Sequence, residues 1–309
     1  MEIVQRTDAT VTAPASDALE ATARRARAML VGFLASRAGG DLAAAEDALS
    51  EAFLAALQQW PLQGVPEKRE AWLLTVARRR LMDEQRKLAL REERRDAVRL
   101  AFDAAQDAAE SDGEFPDERL KLLFVCAHPA IDPATRTPLM LQVVLGLDAA
   151  AIASAFLVAP SAMSQRLVRA KMKIKSAAIP FVVPDRGSWD ERLGFVLDAV
   201  YAAFNQSWQA WPGDGSFHAL GLEALGLGEM LVEVLPEDPE ALGLLALMLY
   251  CHSRRHARRD AAGEYVPLDL QNPDDWDHPL KDPARHRDFV RGDRARLAVA
   301  DPVELRGAL

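Results

Sequence analysis

The chain has 309 residues, of which 50% are hydrophobic, 27% charged and 6% aromatic, with a formal net charge of −9. That hydrophobic share can bury real cores and excludes a wholly disordered chain, while only 18 Pro and 17 Gly exclude collagen-like and low-complexity sequence. Alanine, leucine, arginine and glutamate dominate over β-branched and aromatic residues, which selects helix over sheet and predicts an all-α, multidomain helical protein.

Residues 1–16 read as a disordered tail without the basic segment and apolar run of a secretory signal. From Asp17 a helical period holds to about residue 100. Leu42, Ala45, Leu49, Phe53, Ala56 and Trp60 recur at spacings of three and four, an apolar stripe that Pro61 is expected to stop. Leu62 to Pro66 then reads as a loop. A second long helix carries Trp72, Leu73 and Val76 on one side and Arg79, Asp83 and Arg86 on another. Residues 101–117 hold six acids and no base, an acidic linker and the best domain boundary. A unit over 118–180 follows, then a helical extension over 187–280 and a poorly ordered tail over 281–309. Weak order is expected after Asp260.

Charge is distributed unevenly along this frame. Arg78 to Arg99 holds nine basic against five acidic residues, and Ser161 to Lys175 five basic and none acidic. A polyanion within a Debye length, about 8–10 Å, feels these local fields rather than the net charge.

The sharpest local pattern runs from Leu147 to Ile174. Asp148 can cap a short helix with Ile152 and Ala153 facing inward, and Phe156 to Ala159 form a break. Pro160 can open a second helix with Met163, Leu167, Ala170 and Ile174 on one face. A short helix, a tight turn and a basic second helix are the ingredients of a helix-turn-helix that enters a major groove. Ser161, Ser164, Gln165 and Arg166 lie early on that helix, where Gln and Arg suit bidentate contacts to A and G. Arg169, Lys171 and Lys173 suit phosphates. A helical hairpin with an ordinary solvated basic face has the same pattern.

The arginine row over Trp72 to Lys87 can track phosphates beside a loop that receives an unstacked base, or it can be an exposed, ion-paired helix. Asp47 and Glu51 share one helical face, where they meet the helix dipole or form an acidic patch for a basic partner.

The order of these segments closely resembles the extracytoplasmic-function sigma factors of bacterial RNA polymerase. Pro116-Asp-Glu-Arg-Leu-Lys-Leu-Leu-Phe124, Cys126-Ala-His-Pro129, Ala155-Phe-Leu-Val158, Gln165-Arg-Leu-Val-Arg-Ala-Lys171 and Leu242-Gly-Leu-Leu-Ala-Leu-Met248 are similar to a subgroup with a C-terminal extension of tetratricopeptide type. The resemblance implies a region 2 helical bundle over 17–100 and a region 4 helix-turn-helix over 118–180. It further implies that Glu46, Asp47 and Glu51 bind the core polymerase, and that Trp72, Arg78, Arg79 and Arg86 engage the −10 element. Ser161, Ser164, Gln165, Arg166, Arg169, Lys171 and Lys173 would read the −35 element. Implied partners are core RNA polymerase, promoter DNA and a protein regulator acting through the extension, without a membrane.

Two cysteines, Cys126 and Cys251, cannot build a disulfide framework and suit a reducing, cytoplasmic location. Neither Cys126 with His128 nor Cys251 with His252 and His256 supplies four spaced metal ligands. No metal, cofactor or catalytic role is expected, since neither a phosphate-cradling glycine loop nor a nucleophile elbow occurs. The run Arg254 to Arg259 reads as a solvated helix end. The alternative function is a stand-alone helix-turn-helix regulator with a C-terminal dimerisation or protein-interaction domain.

Overall fold

Short acidic caps set several of the helix starts. Asp41 accepts the Ala44 N–H at 3.1 Å, Asp132 that of Ala134 at 2.9 Å, Asp148 that of Ala151 at 2.7 Å and Asp238 that of Ala241 at 2.8 Å. Each bond satisfies a donor that the first helical turn leaves without an internal partner. Pro133, Pro160 and Pro239 occupy first-turn positions, where the missing N–H is harmless.

The computed structural model describes residues 13–92, 118–184, 186–209, 215–260 and 262–276. The helices are α1 (Ala13–Arg37), α2 (Leu42–Gln63), α3 (Arg69–Glu92), α4 (Arg119–Cys126) and α5 (Pro133–Val143). They continue with α6 (Ala149–Ala155), α7 (Pro160–Ser176), α8 (Asp190–Gln209), α9 (Gly215–Val234) and α10 (Pro239–Ser253). Among the described residues no strand forms, and one isolated bridge joins Arg259 to Tyr265. The fold is all-α. Residues 1–12, the acidic linker over 101–117 and the tail over 281–309 lie outside the described residues.

Three local expectations need correction. Helix α1 already begins at Ala13, inside the segment read as a tail. Pro61 does not stop α2, which runs on to Gln63 and closes with the Gly64 N–H on the Trp60 carbonyl at 3.0 Å. A proline so near the end removes one hydrogen bond from the last turn, and Gly64 (φ 89°) then turns the chain where an L-residue would be strained. In the α2 stripe, Ala48 and Ala52 are buried and Phe53 only half-buried, because the stripe is wide enough to face two neighbours.

The described residues form two compact units that meet between Val196 and Leu197, inside α8. In the N-terminal unit, Leu30, Val31, Phe33 and Leu34 of α1 are buried, as are Leu42, Ala45 and Leu49 of α2 and Leu73, Leu74, Ala77 and Leu81 of α3. Helices α1, α2 and α3 pack on one another, α4 packs on α1 and α5, and α7 packs on both α5 and α2. Phe124 of α4 meets Trp189 with ring centroids 4.7 Å apart. Arg136 is 4% exposed yet satisfied: it donates to the carbonyls of Ile131 (3.0 Å) and Pro129 (3.2 Å) and lies over the Phe195 ring. It thereby ties the Cys126–Pro129 turn to the first turns of α8.

In the C-terminal unit α9 packs on α10. A Cβ on Gly228 would come within 2.7 Å of the Met248 Cε, so glycine permits their close approach. Residues 262–276, expected to be weakly ordered, carry two short 3₁₀ turns and bury Trp276 edge-on against Tyr250. The run Arg254 to Arg259 is likewise not a solvated end. Arg258 lies 3.6 Å over the Trp208 ring and donates to the Trp208 carbonyl, with Arg254 5.1 Å from the same ring. The aromatic face offsets charge crowding among these arginines. Burial, Arg254 and Arg259 together hold the Arg258 guanidinium below its ordinary pKa. Sequence periodicity does not report such stacking.

Candidate nucleic-acid and protein interface

Helices α6 and α7 meet at 111° across the break Phe156–Ala159. Helix α6 ends with Leu157 in the left-handed region (φ 55°), Val158 N–H on the Ala153 carbonyl (3.0 Å) and Phe156 N–H on the Ile152 carbonyl (3.0 Å). The angle is that of a helix-turn-helix, typically about 90–120°. As the spacing predicts, Met163, Leu167, Ala170 and Ile174 are the buried residues of α7. Ser161, Ser164, Gln165, Arg166, Arg169 and Lys173 are exposed. The Arg169 Nε–H bonds back to the Gln165 carbonyl at 3.3 Å. Val168 (57% exposed) and Met172 (65%) share the outward stripe with Ser161 and Gln165. Pattern reading passed over these two, because an exposed apolar residue on a basic helix leaves no periodic signature.

Lys171 is placed differently. Successive residues turn about 100° around a helix, so Lys171 leaves α7 roughly 140° away from Arg166. Its Nζ donates to Glu46 Oε2 at 2.5 Å, and the two side chains are only 14% and 13% exposed. The other Glu46 oxygen accepts from Arg27 at 2.9 Å. Arg27 also reaches the carbonyls of Gln142 (3.3 Å) and Val143 (3.4 Å), which end α5 and carry its negative dipole. Lys175 pairs with Asp41 at 2.6 Å while the second carboxylate oxygen of Asp41 caps α2. Glu46 and Lys171, expected to serve two different partners, are thus bonded to each other. Neither Arg27 nor Asp41 was singled out in advance, since the partners of Arg27 lie 19 and 115 residues away.

Asp47 and Glu51 stay exposed on α2, with Arg80 of α3 3.8 Å from Glu51. Around them opens a cleft of about 1160 Å³, walled by α2 and α3 on one side and by Lys171, Met172 and Lys175 on the other.

On α3, Arg79 and Arg86 are exposed and Arg78 half-buried, with Arg86 3.8 Å from Asp83. Trp72 is half-buried and sits edge-on to Trp60, with centroids 5.6 Å apart. At the head of α4, Glu118 is buried and pairs with Lys121 at 2.7 Å. Burial holds the nearby Arg37 guanidinium below its ordinary pKa against the opposing pull of Glu118. Cys126 is fully buried, and burial followed by the nearby Glu46 charge pushes its thiol far above the ordinary range. Among the described residues no cluster of His, Cys, Asp and Glu could hold a metal ion, and no single helix is long and apolar enough to cross a membrane.

Residues 23–91 match the family model of sigma-70 region 2, from the middle of α1 through α3, and residues 192–287 match a family of unknown function, DUF6596. The two matches together fit a sigma factor with a C-terminal extension. It is 39% identical over 242 residues to "Uncharacterized protein R00370" of Rhizobium meliloti (strain 1021). The alignment covers 76% of this chain and spans 57% of that relative's length. No solved structure matches.

Proposed function

We propose that this protein is an extracytoplasmic-function sigma factor, a non-enzymatic cytoplasmic subunit that docks on core RNA polymerase and directs it to promoters. The observation that carries this reading is the succession, in one chain, of a sigma-70 region 2 match and a separate helix pair crossing at 111° with a polar, basic outer face. The acidic face of α2 (Glu46, Asp47, Glu51) takes the polymerase. Helix α3 takes the −10 element, with Arg78, Arg79 and Arg86 on phosphates and Trp72 beside an unstacked base. Unstacking costs a few kcal/mol, which stacking and phosphate contacts must offset.

Helix α7 takes the −35 element. Ser161, Ser164, Gln165 and Arg166 face base edges, Val168 suits a thymine methyl, and Arg169 and Lys173 hold phosphates. Lys171 joins the phosphate contacts only after it leaves Glu46. The C-terminal unit serves as the surface for a protein regulator. Run-off transcription with core polymerase and a promoter library tests the proposal: defined start sites that depend on this protein are expected. Absence of any transcript overturns it. Tight operator binding without polymerase would instead establish the stand-alone regulator.

A further inference from the structure

We infer that the acidic face of α2 is a docking surface for a lysine-bearing helix, and that α7 of the same chain occupies it in the free protein. The polymerase must therefore displace α7 to reach Glu46. This inference deepens the proposed function and rests on it for the identity of the outside partner; the internal contact stands on geometry alone.

Each Glu46 oxygen already faces a cation of this chain, one Arg27 at 2.9 Å and the other Lys171 at 2.5 Å. With the side chain 13% exposed, no outside donor reaches it while α7 stays in place. Asp41 is in the same condition, its two oxygens shared between the Ala44 N–H and Lys175.

The surface also carries acceptors that α7 does not use. Asp47 and Glu51 line the cleft beside the two lysines, both exposed, with Arg80 3.8 Å from Glu51. A basic partner can move onto these carboxylates. On this side α7 is held by the two ion pairs and, beside Gly40, by Ile174 and the Ile179 backbone, 3.7 and 3.6 Å from a Cβ built there, while its apolar face of Met163, Leu167, Ala170 and Ile174 is buried. The Lys175–Asp41 pair, with Lys175 60% exposed, weakens with salt, whereas the Lys171–Glu46 pair, 14% and 13% exposed, is screened much less. The outer face of α7 is not involved. Its Ser161, Gln165 and Arg169 stay exposed in the latched state, so the latch occludes the polymerase surface and leaves the promoter-reading row open.

The test uses the full chain carrying Lys171→Gln and Lys175→Gln together, with Lys68→Gln as a charge control on an exposed loop. Amide hydrogen exchange over residues 42–50 and 170–176 should accelerate in the double variant and not in the control. Unchanged protection of α5 would show that the fold persists. Removal of an internal competitor raises apparent affinity by the reciprocal of the open fraction, so the variant should bind core polymerase at least about threefold more tightly than wild type. Unchanged exchange overturns the latch whatever the polymerase result. Faster exchange with unaltered polymerase affinity overturns the shared surface. Faster exchange with no polymerase binding by any form supports the latch and overturns the sigma-factor reading, so the two failures are distinguishable.

Discussion

Replacing Glu46 by glutamine removes the one anion that Arg27 and Lys171 share. The amide keeps a carbonyl acceptor for one of them but leaves two cations facing each other, with Lys171 only 14% and Arg27 32% exposed. Breaking a fully buried pair costs about 3–5 kcal/mol, whereas exposed pairs contribute about 0–1 kcal/mol. At this intermediate burial Glu46→Gln should destabilise the N-terminal unit by about 2–3 kcal/mol. For a unit of this size each kcal/mol lowers Tm by about 2–4 °C, which gives a drop of about 4–12 °C. Lys171→Gln leaves the Arg27–Glu46 pair intact and should lose about 1 kcal/mol or less. Urea unfolding followed by amide exchange in α2 measures both. If Glu46→Gln loses no more stability than Lys171→Gln, the Glu46 carboxylate is not the hub of the network.

The remaining predictions address the reading helix and the turns around it. Arg166→Ala should relax sequence preference at one base pair, a loss of about 1–3 kcal/mol on the matched site, read by competition binding of the polymerase complex to promoter variants. Arg169→Ala should instead weaken binding to all sequences alike and lower the salt slope by about one. Leu157 holds φ 55° with its side chain 94% exposed. Left-handed backbone costs an L-residue about 1–2 kcal/mol, partly offset by the greater freedom of unfolded glycine, so Leu157→Gly should stabilise by up to about 1 kcal/mol in thermal melts. His128 Nδ1 accepts the Ala130 N–H at 3.1 Å, and burial, then Arg192 and Arg136, lowers its pKa. The unfolded chain then binds the proton more readily. The neutral form's contribution is complete above the ordinary histidine pKa of about 6.5 and is lost as pH falls toward the lowered native value. Melting temperatures between pH 7.5 and 5.5 should accordingly fall more steeply for wild type than for His128→Gln.

Helix content, the inward stripe of α7, the cap at Asp148 and the first-turn Pro160 are local matters, and the sequence states them through spacing of three and four and through the donors that a first turn leaves open. Placing Ser161, Gln165 and Arg169 on one outward surface follows from the same arithmetic. Pro61 misled because a proline signals the loss of one hydrogen bond, and near a helix end that loss is small. The stacking of Arg254 and Arg258 on Trp208 and the ordering of residues 262–276 also escaped. Their partners come from other elements, and an arginine cluster reads as solvated until a ring is known to lie under it.

Sequence alone determined which residues turn inward on each helix and where most helices start, because those properties arise between neighbours a few positions apart. Only the tertiary structure decided that Glu46 meets Lys171 across 125 residues and Arg27 across 19. Charge pairing over such separations depends on how whole helices pack, and the three residues alone carry charges that could as well have faced three different partners.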